Sequence, residues 1–292
     1  MCFIWKNQRD KNLSSQDIEM LFHHPEFSEV DEVSISGGEP FMRQDIEDIV
    51  EHVVEVNNLK GLFINTNGTY ARRVESLCER ISPQVPSLYV CVSLEGSREI
   101  NQGIRGIDTY ERAISTLKKV QGKKLQNVKT VISTTLQKEN GTIENLEHLL
   151  GIAESTGSTL TFRFADVSGN YYMNEEKPAE SVQQRDREKI MRFATERMPH
   201  DPFLRILREY TETGNIPLMM DQGKVRCEAG KKFCFVKYDG NIYSCLYSPR
   251  EIGTISAGIT KEITDLGKKE PCPCCTECHI YPMLNFGGKN EN

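Results

Sequence analysis

No stretch of this sequence approaches the roughly 18 consecutive apolar residues that a membrane-crossing helix requires, and no charged-then-apolar leader opens it. Insertion and export are therefore not expected, and the reading is of a cytoplasmic protein away from the membrane. Positive charge is also in short supply: 36 lysines and arginines face 42 aspartates and glutamates, for a formal net charge of -6. With no basic block interleaved with aromatics to track phosphates, nucleic acid is not an expected partner. Low-complexity tracts are absent, as are internal repeats beyond an alternation of short strands and helices. The six histidines show no ligand spacing among themselves, and only His279, directly after Cys278, stands near a candidate metal site.

Cysteine, by contrast, is plentiful, with ten in 292 residues. A short secreted chain would use them as disulfides, but in a leaderless chain of this length clustered thiols more often bind metal. Length and an ordinary apolar fraction allow one sizeable globular domain with an appendage. Up to about residue 166, β-branched runs alternate with amphipathic stretches, the pattern of a parallel sheet with right-handed crossovers. Strands are predicted at residues 31–36, 61–65, 88–93, 128–134 and 160–165. Between them lie stripes such as Ile46, Ile49, Val50, Val53 and Ile143, Leu146, Leu150 at helical spacing, and Ser15 and Thr142 are expected N-caps. A helix over residues 17–22 precedes the first strand, so the repeat predicts a further strand and its loop upstream of Met1. Residues 179–213 read as a charged helical bridge, and residues 232–238 and 242–247 as strands around the hairpin signal Asp239-Gly240-Asn241.

Two groups of residues could carry chemistry. Ser36-Gly37-Gly38-Glu39-Pro40 follows a predicted strand and precedes a helix, where α/β barrels place active-site loops. Its glycines let backbone carbonyls come close to a ligand, and Glu39 can accept hydrogen bonds from an ammonium group. The same run also suits a plain strand-to-helix turn with an incidental acid. The second group is Cys227, then Gly240 to Cys245, then Cys272-Pro273-Cys274-Cys275-Thr276-Glu277-Cys278. Thiols on a hairpin and on a distant Cys-x-x-Cys loop can close around one centre, zinc or iron-sulfur. Elsewhere Cys78, on the stripe of Val74, Leu77 and Ile81, and Cys91, inside a strand, read as buried small apolar residues. Met219-Met220 and Tyr171-Tyr172 read as packing, the tyrosines also being able to line a pocket. Arg105 and Arg163 can pair with a carboxylate or anchor a loop.

Met1-Cys2-Phe3-Ile4-Trp5 resembles the end of the Cys-x-x-x-Cys-x-x-Cys loop of radical S-adenosylmethionine (SAM) enzymes, and Gly37 to Pro40 matches their Gly-Gly-Glu-Pro motif. Thr66-Asn67-Gly68, Val92-Ser93-Leu94-Glu95-Gly96 and Ile104-Arg105-Gly106 extend the likeness, with Glu95 standing where an aspartate is frequent. The C-terminal cysteines resemble the SPASM and twitch modules that follow many such barrels, including a Gly-x-x-x-x-Cys element at Gly240 to Cys245.

The resemblance implies an α/β fold: a partial (β/α)6 TIM-like barrel over residues 1–178, lacking its first strand in this chain, then a helical bridge over 179–222 and a small cysteine-rich module over 223–292. It makes Cys2 the third thiolate of a SAM-binding 4Fe-4S cluster whose first two ligands are absent, so that the chain by itself is expected not to cleave SAM. It assigns Gly37, Gly38, Glu39 and Pro40 to the methionyl amino group of SAM, Ser93 to the ribose or carboxylate, and Arg105 to a further cofactor contact. Cys227, Cys245, Cys275 and Cys278 would hold one auxiliary 4Fe-4S cluster, with Cys234, Cys272 and Cys274 to spare and structural zinc as the alternative. The implied activity is hydrogen abstraction by a 5'-deoxyadenosyl radical, leading to oxidative modification of a peptide or protein side chain. Flavodoxin or ferredoxin would serve as electron donor. Dehydrogenation of a sugar or cyclitol, and a non-catalytic iron-sulfur or zinc protein, are the other readings.

Overall fold

The computed structural model describes residues 2, 12–165, 167–169, 172–198, 220–221, 224–225, 229–230, 233–247 and 250–260. Its centre is a five-stranded sheet whose strands follow in chain order: β1 (Glu32–Ile35), β2 (Gly61–Thr66), β3 (Ser87–Ser93), β4 (Val128–Leu136) and β5 (Thr159–Phe164). All four pairings are parallel. Five strands were expected and five are found; β4 runs on two residues beyond the predicted end, with Thr135 and Leu136 paired to Arg163 and Phe164 of β5.

The crossovers carry α2 (Ile46–Val54), α3 (Ala71–Ile81), α4 (Arg98–Arg105) followed by α5 (Tyr110–Gly122), and α6 (Ile143–Thr156). Because side chains alternate along a strand, one face of the sheet presents Leu62, Ile64, Leu88, Val90, Val92, Ile132, Leu160 and Phe162, all buried with the apolar stripes of the helices in one core. The other face presents Phe63, Tyr89, Asn65, Cys91, Ser93 and Ser133, and there Phe63 stacks on Tyr89 with ring centroids 4.4 Å apart. A parallel sheet in chain order, covered by helices on one face, is the partial TIM-like barrel that the resemblance implies. Helix α7 (Gln184–Arg197), in the predicted bridge, adds Ile190, Met191 and Ala194 to the same core; residues 199–219 of that bridge lie outside the described residues.

Helix α1 (Ser15–His23) starts at the residue expected to cap it. Ser14, not Ser15, is the N-cap, because Asp17 stands three residues on and closes a capping box with it. Thr142 caps α6 as expected, accepting from the Asn145 N–H. Near the C-terminus, β6 (Met220–Asp221) pairs with β7 (Lys224–Val225), and β8 (Phe235–Val236), β9 (Asn241–Tyr243), β10 (Glu251–Thr254) and β11 (Gly258–Ile259) form a small antiparallel sheet. The predicted hairpin is there with shorter strands, turning at Gly240, whose φ of +87° suits glycine. This sheet builds a second core with the front of the chain, in which Ile242, Ile252 and Ile255 bury Leu21 and Phe27. No helix among the described residues is long and apolar enough to cross a membrane.

Candidate active site

Parallel strands bring their C-terminal ends to one edge, so the segments after β1, β2 and β3 are neighbours there. Gly37, after β1, has φ +145° with open space where a Cβ would point, so its backbone is accessible. Glu39 reaches across to the next strand. Its Oε1 accepts from the Thr66 hydroxyl at 2.8 Å and from the Phe41 N–H at 3.1 Å, and its Oε2 accepts from the Asn67 N–H at 2.6 Å. An ionised carboxylate offers about four lone-pair sites, so one on Oε2 is left for an incoming ammonium. Pro40 begins the 3-10 turn that ends at Met42, at a position where its missing N–H costs nothing.

Ser93, the last residue of β3, is half-buried beside Ser133, and its hydroxyl makes no hydrogen bond to the described residues. Two residues on, Glu95 is only 2% exposed. Its Oε1 accepts from Arg105 Nη1 at 3.0 Å, and its Oε2 accepts from the Thr134 hydroxyl at 3.2 Å and the Thr135 N–H at 2.9 Å. Its carbonyl accepts from Nδ2 of Asn140 and of Asn145, each at 3.0 Å. The additional methylene of glutamate over aspartate lets one carboxylate span from β3 to β4 and to the last turn of α4. Sequence reasoning left the role of Glu95 open and missed Asn140 and Asn145; two asparagines flanking the cap of α6 were the available signal. Gly96 is required here, since a Cβ on it would collide with Asn145 Oδ1. Arg105, read as a cofactor contact, spends Nη1 on Glu95, while its Nε is buried without a partner.

Of the cysteines assigned to the auxiliary centre, Cys245 lies just past β9 and is 2% exposed. The next residues fasten to the segment after β5: Ser168 Oγ donates to the Leu246 carbonyl at 2.9 Å, and Tyr247 packs edge-on against Tyr172, centroids 6.2 Å apart. Arg163 Cζ stands 5.3 Å from the Tyr172 ring. Cys227, Cys272, Cys274, Cys275 and Cys278 lie outside the described residues, as do residues 3–11 beyond Cys2, Tyr171 and Met219. Cys234 is half-buried beside β8. Cys78 and Cys91 are buried as expected, and burial pushes both thiols up to about 12.

The strand-end loops fit the amino group of SAM: an acceptor site is free on Glu39 and the glycine backbone beside it is open. Of the thiolates that a cluster accompanying SAM takes, Cys2 is the one in the part of the loop that this chain carries, and it is half-buried. Among the described residues no group of three or more His, Cys, Asp or Glu side chains is placed to hold a metal.

A parallel α/β partial barrel with a glycine-rich loop and an oriented glutamate at its C-terminal edge defines a cofactor-binding barrel protein. The chain belongs to the radical SAM superfamily, whose family model matches residues 1–150. It is similar to mycofactocin maturase MftC of Mycolicibacterium smegmatis, with 23% identity over 258 residues, 85% of this chain and 60% of that protein. It is also similar to GTP 3',8-cyclase of Aquifex aeolicus, 22% identical over 229 residues, 76% of this chain and 67% of that protein. The fold is similar to that of Streptococcus suis SuiB bound to S-adenosylmethionine, with a TM-score of 0.65 at 17% identity, covering 91% of this chain and 61% of that one. SuiB bound to precursor peptide SuiA gives 0.65 at 18% identity. The chain thus spans about 60% of the length of the MftC and SuiB chains.

Proposed function

We propose that this chain forms the core of a radical SAM enzyme that binds SAM at the C-terminal edge of its sheet and oxidatively modifies a peptide or protein side chain. One observation carries the reading: the Glu39 carboxylate, held by Thr66, Phe41 and Asn67, keeps an acceptor site beside the open backbone of Gly37. SAM, bound with a 4Fe-4S cluster to which Cys2 would give one thiolate, supplies the hydrogen-abstracting chemistry of the family. The residues of this chain bind and orient it. Glu39 receives the ammonium, and Gly37, Gly38 and Pro40 shape the loop around it. The free Ser93 hydroxyl faces the ribose or carboxylate, and the unpartnered Nε of Arg105 offers a further donor.

A maturase among the relatives and a neighbour solved with a precursor peptide support a peptide substrate. In this reading the domains divide at residues 178 and 222, Cys227, Cys245, Cys275 and Cys278 hold one auxiliary 4Fe-4S cluster, and a flavodoxin or ferredoxin donates electrons.

The test is SAM binding by equilibrium dialysis after anaerobic reconstitution with iron and sulfide. Wild type is expected to bind, and Glu39→Gln to bind at least about tenfold more weakly, since an amide cannot replace a charge-assisted acceptor. Equal affinity in the two proteins, or none in wild type, overturns the proposal. Metal analysis of the same samples separates the centres: zinc without acid-labile sulfide would replace the auxiliary cluster with a structural zinc site.

A further inference from the structure

Leu13, one residue ahead of the cap of α1, is bonded on both sides. Its N–H donates to the Tyr238 carbonyl in the β8–β9 turn at 3.1 Å, and its carbonyl accepts from Nη2 of Arg43 at 2.5 Å. Arg43 closes the 3-10 turn after Gly37-Gly38-Glu39. Asp45 aligns its guanidinium, accepting from Nε at 3.0 Å and from Nη2 at 2.8 Å, and this pairing holds the Asp45 carboxyl below its ordinary range. The same hairpin turn meets the Leu13 side chain, which lies 3.5 Å from where a Cβ on Gly240 would stand. At the far end of α1, His24 Nε2 lies 2.7 Å from the Ile255 carbonyl. The first helix is therefore held to the C-terminal sheet at both ends, and at its start to the glycine loop as well.

We propose that Arg43 is a positioning residue for the glycine loop, and that through Leu13 it couples the placement of that loop to the hairpin carrying Cys245. The proposal rests on reading the loop as the SAM site. A planar guanidinium suits the task because its fixed fork holds the Asp45 carboxylate and the Leu13 carbonyl in one plane, which a flexible ammonium cannot do. Displacing the hairpin shifts Leu13, and the shift reaches the loop only while Arg43 connects the two.

Hydrogen exchange read by mass spectrometry on the full chain tests this, with Gly240→Ala, Arg43→Met and the double variant. An alanine is strained at the φ of +87° found at Gly240, so that substitution disturbs the hairpin remotely from the loop. The loop amides of Phe41 and Met42, which donate to Glu39, are expected to exchange roughly tenfold faster in either single variant, with the double no faster than Arg43→Met alone. The Val90 and Val92 amides in β3 should stay protected in all of them, and SAM affinity should fall with loop protection. Arg43→Lys should recover only part of the loss. Unchanged loop exchange in Gly240→Ala, or additive effects in the double variant, overturns the coupling. Should Gly240→Ala melt the hairpin outright, Leu13→Ala is the milder displacement and carries the same expectations. A wild type that never binds SAM defeats the functional reading, while the exchange pattern still decides the clamp.

Discussion

At Glu95, one residue gathers six hydrogen bonds: its N–H donates to Asn101 Oδ1, and its oxygens accept from Arg105, Thr134, Thr135, Asn140 and Asn145. Removing the carboxylate leaves the Arg105 guanidinium largely buried without its counter-charge. Glu95→Ala is therefore expected to lose about 3 kcal/mol in urea unfolding, with Glu95→Asp, too short to span the strands, losing about 1 kcal/mol. Beyond the two asparagines beside the α6 cap, little of this was legible locally, because the partners come from α4, β4, the segment after it and α6, and the assembled fold makes them neighbours. Cys78 and Cys91 are the opposite case. Their place on an apolar stripe and inside a strand announced burial, and burial raises both thiols to about 12. A thiol so raised stays neutral at pH 8, so brief iodoacetamide treatment of the folded protein at that pH should leave both unlabelled, with labelling appearing once it is unfolded. Alkylation of either in the native state would show that its surroundings open to solvent.

The elements themselves were the most legible part. Alternating β-branched runs found every strand of the large sheet, because those positions are buried by their own helices and the pattern is local. The cap of α1 was misplaced by one residue although its signal was present in the Ser14-x-x-Asp17 spacing. Strands β8 and β9 came out shorter than the pattern suggested, and β10 and β11 were not foreseen, since the tertiary core they share with α1, more than their own propensity, decides where pairing starts and stops. Between elements, Gly68 sets how closely α5 approaches β2: its φ is +75°, and a Cβ there would stand 2.7 Å from the Ala113 Cα. Both the backbone angle and the contact reject a side chain. Gly68→Ala is accordingly expected to cost about 3 kcal/mol in chemical denaturation, with α5 forced outward. A loss under about 0.5 kcal/mol would mean that the helix yields easily at this point.

For the molecule as a whole, the order of strands and the edge bearing the functional loops could be foreseen, because parallel βα units admit few arrangements. The return of the C-terminal sheet to the first helix could not. Nothing in the spacing of Leu21 or Phe27 announces that their cover is Ile242, Ile252 and Ile255. A chain stopped after residue 230 should keep the five-stranded core yet expose those two residues, which is measurable as increased binding of the dye ANS and a lower denaturation midpoint than the full chain. Unaltered dye binding would mean that the front helix finds other cover.

The contact of His24 with Ile255 joins positions 231 residues apart. During synthesis helix α1 is made well before the strands that will shield its greasy side. Until those strands emerge, the nascent polypeptide must carry an unfinished sticky surface there. The β9–β10 hairpin then acts as a latch, and until it closes, chaperone capture and clumping compete with completion of the fold.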